Sequence, residues 1–188
     1  MHLKIFDICR RGTHVLGPGN RYVIWVQGCD RRCPGCITPE SHSFDNATEI
    51  HIDDLAADII LAAHIDGITI SGGEPFLQSQ ALCALLQKVR RSRPELSVII
   101  YTGNEYLDLL KDTDSKKLID CADVIIDGRY IESLNDNKGI RGSSNQKIIL
   151  VTPRLKDYAH AMENSERRIM RVIEPDGKVT SVGVPSAM

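Results

Sequence analysis

At 188 residues, with 42% apolar and 26% charged composition, the chain is long enough to fold around one core and too short for two enzymatic domains. Its 23 Lys plus Arg against 25 Asp plus Glu leave a net charge of -2, which excludes a protein held mainly by nucleic-acid phosphates or anionic lipid. No apolar run reaches the roughly 18 residues of a membrane span, and residues 1–6 lack a signal core, so a single cytoplasmic domain over residues 1–188 is expected, without nucleic-acid or membrane partners.

Along the chain, Tyr22-Val23-Ile24-Trp25-Val26 reads as the first strand, with Trp25 explained by core packing. Directly after it stands Cys29-Asp30-Arg31-Arg32-Cys33-Pro34-Gly35-Cys36, half of the six cysteines within eight residues. That crowding points to a metal loop rather than to disulfides, and the remaining Cys9, Cys83 and Cys121 read as inert thiols or core filler. Three thiolates suit an iron-sulfur cubane that takes a fourth ligand from elsewhere or leaves one iron open. Zinc is the alternative, with Cys9 or His42 as a fourth ligand.

Asp53 is expected to cap a helix whose apolar stripe includes Leu55, Ile59, Ala62 and Ala63. Residues 67–70 form a second strand running into Ser71-Gly72-Gly73-Glu74-Pro75, where adjacent glycines let backbone approach a ligand and Glu74 offers a carboxylate to a cationic group. The next helix buries Leu82, Leu85, Leu86 and Val89 and leaves Gln80, Gln87, Lys88 and Arg91 outside, with Arg90 to Arg93 as a solvated end that suits the helix dipole. A strand over 96–101 leads to Thr102-Gly103-Asn104, helices follow near 105–111 and 115–119, and strands at 124–126 and 148–151 flank a long polar loop. A loop of that length is more often functional than idle, and its Arg141-Gly142-Ser143-Ser144-Asn145-Gln146 run is read as functional rather than as a polar turn. Residues 168–173 and 178–182 form a terminal hairpin about Glu174-Pro175-Asp176-Gly177. Repeated βα units predict an α/β fold with a mainly parallel sheet or partial barrel, and ligands then bind at the carboxyl ends of the strands. The cysteine loop, Gly72-Gly73, Thr102-Gly103 and Asp127-Gly128 all occupy such ends, so four strand ends are expected to face one pocket.

The CxxxCxxC loop and the Gly-Gly-Glu segment resemble those of the radical S-adenosylmethionine (SAM) enzymes. Gly17-Pro18-Gly19-Asn20-Arg21 is similar to the GPGxR of glycyl-radical activating enzymes, and Cys33-Pro34-Gly35-Cys36 looks like the anaerobic ribonucleotide reductase activating proteins. Ile126-Asp127-Gly128-Arg129-Tyr130 and Arg141 to Gln146 resemble late segments of that group. Ile37, Thr38 and His42 depart from the aromatic residue, Asn and Trp that members often carry after the third cysteine.

The resemblance implies a partial (β/α)6-type barrel with a [4Fe-4S] cluster on Cys29, Cys33 and Cys36. It further implies that the amino and carboxylate groups of SAM chelate the open iron. One electron, from a donor such as flavodoxin or ferredoxin, then yields methionine and a 5′-deoxyadenosyl radical, and the radical takes hydrogen from a backbone glycine of a partner such as anaerobic ribonucleotide reductase. On the same basis Gly72, Gly73, Glu74 and Pro75 position SAM, Thr102, Asn104 and Asp127 reach its ribose, carboxylate or adenine, and no side chain is itself catalytic. Two other readings stand beside this one: direct modification of a metabolite or peptide in the same pocket, and a zinc-stabilised binding module. Arg31 and Arg32 are either solvated, tuners of the cluster potential, or contacts to an acidic partner, and His42 is either a surface group or a neighbour of the cluster.

Overall fold

The computed structural model describes residues 1–45, 47–173, 177 and 179–185. Four strands run parallel through its centre: β2 (Arg21–Val26), β4 (Gly67–Gly72), β5 (Ser97–Tyr101) and β6 (Val124–Asp127). Three more pair antiparallel at the flanks. β1 (His2–Thr13) lies against β2 and against the short β3 (Thr48–His51), and β7 (Lys147–Leu150) lies against β6. The order is β3-β1-β2-β4-β5-β6-β7, an open sheet with β3 and β7 at its edges. The expected mainly parallel sheet is therefore mixed. Strands joined by a direct return, such as β1 to β2, pair antiparallel, whereas the parallel block needs the helical crossovers.

Those crossovers are α1 (Ile52–Leu61) and α2 (Ser79–Ser92), then α3 (Tyr106–Leu109) and α4 (Thr113–Ile119). Leu55 and Ile59 of α1, Leu82, Leu85, Leu86 and Val89 of α2, and Leu118 of α4 pack against Ile24, Ile68, Ile70, Val98, Ile100 and Ile125 of the sheet. His51, not Asp53, caps α1: its Nδ1 accepts the Asp53 N–H at 3.3 Å, while Asp53 lies in the first turn and pairs with Lys88 at 2.8 Å. The helix stops at Leu61, so Ala62 is its C-cap and Ala63 lies beyond it. Arg90 to Arg93 is a solvated end only in part, at the exposed Arg91 and Ser92. Arg90 pairs with the buried Asp123 at 3.1 Å, and Arg93 donates to the Ile60 and Ala62 carbonyls left open at the end of α1. Cys83 and Cys121 do fill core, their sulfurs 3.6 Å apart between α2 and α4, and burial pushes the Cys121 thiol up to about 12.

The opposite face of the sheet is covered by the 128–146 segment, by α5 (Ala159–Asn164), which the sequence pattern does not announce, and by an antiparallel hairpin of β8 (Met170–Ile173) and β9 (Val179–Val182). The turn expected at Glu174-Pro175-Asp176 lies outside the described residues. No helix among the described residues is long and apolar enough to cross a membrane.

Arg21 fixes the amino end of the parallel block. It is fully buried and donates to Thr69 Oγ1, the Pro18 and Ile68 carbonyls, and both Ser97 Oγ and the Ser97 carbonyl. Burial pulls its pKa down to about 10, so it stays charged at neutral pH with oxygen dipoles around it. Gly67 makes room for this, because a Cβ there would collide with Arg21 Nη1 and the Ser97 carbonyl. The Gly17-to-Arg21 motif thus secures the end of the sheet remote from the cysteine loop. Arg21→Met is expected to lower the unfolding free energy of the chain by about 3 kcal/mol, since several buried acceptors lose their donor; chemical denaturation with an unchanged midpoint would reject this role.

Candidate functional site

The carboxyl ends of β2, β4, β5 and β6 open onto one cavity of about 520 Å³, within the size range of small-molecule sites at roughly 300 to 1,000 Å³. Trp25, Ser71 and Tyr101 line it, while their chain neighbours Ile24, Ile70 and Ile100 join the helix-side core, so the cavity lies on the sheet face away from α1 and α2. Cys29, Cys33 and Cys36 are brought together with Gly72, Gly73, Glu74 and Thr102 on its lining.

Pro75, Asn104 and Asp127 are not on that lining. Pro75 is buried at the start of a 3-10 turn over Pro75–Gln78. Asn104 folds back so that its Nδ2 donates to Thr102 Oγ1 at 3.1 Å. Asp127 accepts the Tyr106 N–H at 2.8 Å and the Lys147 N–H at 3.2 Å, tying the end of β6 to α3 and β7. Of the three, Asp127 holds backbone at the rim of the site.

The cysteine loop is fixed at its start and at Arg31. The Gly28 N–H donates to the Ser41 carbonyl at 2.8 Å and the Cys29 N–H to the His42 carbonyl at 3.2 Å, while the Arg129 guanidinium donates to the Arg31 carbonyl. Arg32 adopts a left-handed φ of 45°, and the N–H groups of Arg31 and Arg32 turn to the Cys29 sulfur. Burial pushes that thiol up, and the two N–H bonds oppose the shift by favouring thiolate. Cys33 and Cys36 are half-buried, Pro34 and Gly35 are exposed, and all six cysteines are free of disulfides. Arg31 pairs with Asp30 at 2.9 Å, and Arg32 is exposed. Cys9 packs with Leu16, Val23, Val172 and Val182, off the cavity lining, whereas His42 is on it. Among the described residues no group of three His, Cys, Asp or Glu gathers around a point as a single metal ion requires. A cubane asks for a different arrangement, one thiolate at each of three separate irons.

Gly72-Gly73-Glu74 holds this loop in place. The Gly73 N–H donates to the Val26 carbonyl at 2.7 Å and the Glu74 N–H to the Gly28 carbonyl at 2.8 Å, carrying the β2–β4 pairing past the strand ends into the cysteine loop. A Cβ on Gly73 would strike the Gly28 carbonyl, and Gly72 has φ of 99°, so neither position accepts another residue without movement. The Glu74 carboxylate, 1% exposed, accepts from the Thr102 hydroxyl at 2.8 Å, the Gly103 N–H at 2.8 Å and the Phe76 N–H at 3.0 Å. Burial pushes its pKa up against these three bonds. The carboxylate therefore bridges β4 to β5 while still lining the cavity.

Two further segments line the cavity: the end of the terminal hairpin, to which the sequence assigned no role at the site, and the long polar segment, whose Arg141-to-Gln146 run was read as functional. Thr180, Ser181, Val182, Gly183, Val184 and Pro185 bring the terminal hairpin to the site. Tyr130, Gly142 and Gln146 come from the long polar segment, whose base is closed by Gln146: its Oε1 accepts the Gly142 N–H at 2.7 Å and its Nε2 donates to the Gly128 carbonyl at 2.7 Å. The Arg141-to-Gln146 run is thus a hydrogen-bonded turn and a cavity wall at once. Trp25, explained from sequence by core packing, has one face on the cavity; its period-two position beside Ile24 was the available signal.

Residues 15–149 match a protein family described as a 4Fe-4S single cluster domain. The chain is similar to anaerobic ribonucleoside-triphosphate reductase-activating proteins: 30% identical to that of Salmonella typhimurium over 71% of this chain and 90% of the relative. The corresponding proteins of Haemophilus influenzae and Enterobacteria phage T4 are each 32% identical, over 70% and 71% of this chain and 88% and 86% of theirs.

Glu74→Gln keeps one acceptor oxygen where three donors converge. In the cluster-free, reduced chain it is expected to lower unfolding free energy by about 1 to 3 kcal/mol, read by urea denaturation. An unchanged midpoint would mean that the bridge between β4 and β5 carries no weight.

Proposed function

This chain belongs to the 4Fe-4S family of anaerobic ribonucleoside-triphosphate reductase-activating proteins, radical SAM enzymes of the glycyl-radical activating type, and from that premise we propose that it generates a glycyl radical on such a reductase. The observation that carries this reading is the placement of three disulfide-free thiols and a glycine-bared strand end on one cavity. Together, a [4Fe-4S] cluster and SAM supply one chemistry when bound, the reductive release of a 5′-deoxyadenosyl radical that takes a hydrogen atom from its target.

The residues fit that pair. Cys29, Cys33 and Cys36 would hold the cluster, and among the described residues no other cysteine lines the cavity, which leaves one iron without a thiolate. Membership of a 4Fe-4S family favours iron over zinc on these sulfurs. The N–H groups of Arg31 and Arg32 at the Cys29 sulfur favour the charged ligand and bear on the cluster potential. Gly72 and Gly73 would leave backbone bare beside SAM, with the Glu74 carboxylate and Thr102 hydroxyl below it. Leu16, Trp25, Val182 and Val184 provide an apolar wall that excludes water and competing hydrogen donors.

The exposed Pro34 and Gly35 put the cysteine loop within reach of a one-electron donor such as flavodoxin or ferredoxin. The open sheet with its four parallel central strands is read as a cut-down form of the radical SAM barrel, leaving one side for the partner to close. Cys33→Ala is expected to fold, to assemble no cluster and to release no deoxyadenosine. With the unaltered chain, chemical reduction in the presence of SAM and the reductase should give a glycine-centred doublet by electron paramagnetic resonance. Deoxyadenosine release retained by Cys33→Ala would reject the ligand set, and release without any signal on the reductase would reject the target.

A further inference from the structure

The terminal hairpin borders the cavity through β9. Among the described residues β9 has one strand neighbour, β8. Thr180 and Val182 are buried and Ser181 between them is exposed, yet all three line the cavity. Alternate residues of a strand face opposite sides, so a cavity that touches consecutive residues runs along the strand's edge. Such an edge carries N–H and C=O groups suited to pairing with another extended chain.

A second observation points the same way. Thr180 is 8% exposed, and its Oγ1 is a buried oxygen that has no hydrogen-bond partner among the described residues. A hydroxyl taken out of water without a partner is destabilising, and buried polar groups are ordinarily satisfied, so this one marks a place where a polar ligand belongs. Ile169, Ile173 and Val179 are exposed, and β9 itself (Val179–Val182) carries no charged residue of the kind that protects an isolated edge strand.

Resting on the reading that the target is a glycine within a polypeptide, we propose that the partner's glycine-bearing segment docks in extended form on the free edge of β9, as a third strand of the β8–β9 sheet, with the Thr180 hydroxyl bonding its backbone. Main-chain pairing supplies affinity for an extended segment irrespective of most side chains, and pockets for alternate residues supply choice. Glycine suits this place because no side chain stands between its Cα and the cavity wall. Phe6 and Ile37, which are exposed and also line the cavity, offer an apolar rim to flanking residues. The edge borders the same cavity as the three thiols, so a strand laid on it crosses the site itself.

The test uses the cluster-loaded chain under anaerobic conditions and a fluorescent synthetic peptide copied from the sequence around the radical glycine of the reductase. Thr180→Val removes the hydroxyl at nearly constant shape. It is expected to weaken peptide binding about three- to tenfold while leaving the thermal midpoint of the chain unchanged or raised, an opposition of signs that a merely structural role would not produce. Thr180→Ser should restore affinity. Single backbone N-methylations along the peptide should weaken binding at alternate residues, the period of a strand paired on one edge. Affinity insensitive to both changes, while the reductase still acquires its radical, overturns the edge and spares the function. Failure of the reductase to acquire a radical, with deoxyadenosine released, overturns the function and this docking with it. Loss of deoxyadenosine release by Thr180→Val at unaltered peptide affinity would assign the hydroxyl to the cofactor, and a dimer in sedimentation abolished by Thr180→Val would assign the edge to a second copy of the chain; either result overturns the proposal.

Discussion

Two backbone hydrogen bonds between strand ends organise the site: Gly73 N–H to the Val26 carbonyl and Glu74 N–H to the Gly28 carbonyl. They extend a parallel pairing beyond the sheet and so convert the start of the cysteine loop from a free connection into a continuation of β2. The pairing requires a missing Cβ at Gly73, because any side chain there meets the Gly28 carbonyl. A sequence of two glycines is therefore as much a packing requirement between two strand ends as a provision for a ligand. Both needs are met by the same atoms.

Buried charge secures the two ends of the parallel block by the same physics. At the amino end, Arg21 satisfies carbonyls and hydroxyls on β4 and β5; at the carboxyl end, Glu74 gathers donors from β5 and its own turn. Each ion is nearly or wholly removed from water and surrounded by dipoles of opposite sense rather than by a single counter-ion. Such groups are costly unless fully bonded, which restricts the strands to one register. Rigidity at these points lets the surrounding loops carry chemistry.

Much of this was legible in the sequence, for reasons that differ between elements. The parallel strands and α2 announce themselves by β-branched runs and by Leu82, Leu85, Leu86 and Val89, and the cysteine spacing reads directly. β1 is harder to see because register shifts after Ile5 and after Cys9 interrupt its alternation and Asp7, Arg10 and Arg11 lie within it. Thr48–His51 is too short to show a period. Asp53 looks like a cap, but His51 supplies the acceptor two residues earlier. Asn104 and Asp127 sit at strand ends as functional residues do, yet their hydrogen bonds are to the chain itself, a matter that spacing does not encode. The contribution of Thr180 to Pro185 depends on a return of the C-terminus over the sheet, a long-range contact with no local signature.

The proposed chemistry turns on one iron of the cluster being left without a protein ligand. Mössbauer spectroscopy of the chain loaded with iron-57, recorded with and without SAM, tests it directly. With three protein thiolates, one iron of the cluster should change its isomer shift when SAM is added while the other three keep theirs. Four irons that remain alike before and after addition would mean that a fourth ligand from the protein closes the cluster, and that SAM is not activated there.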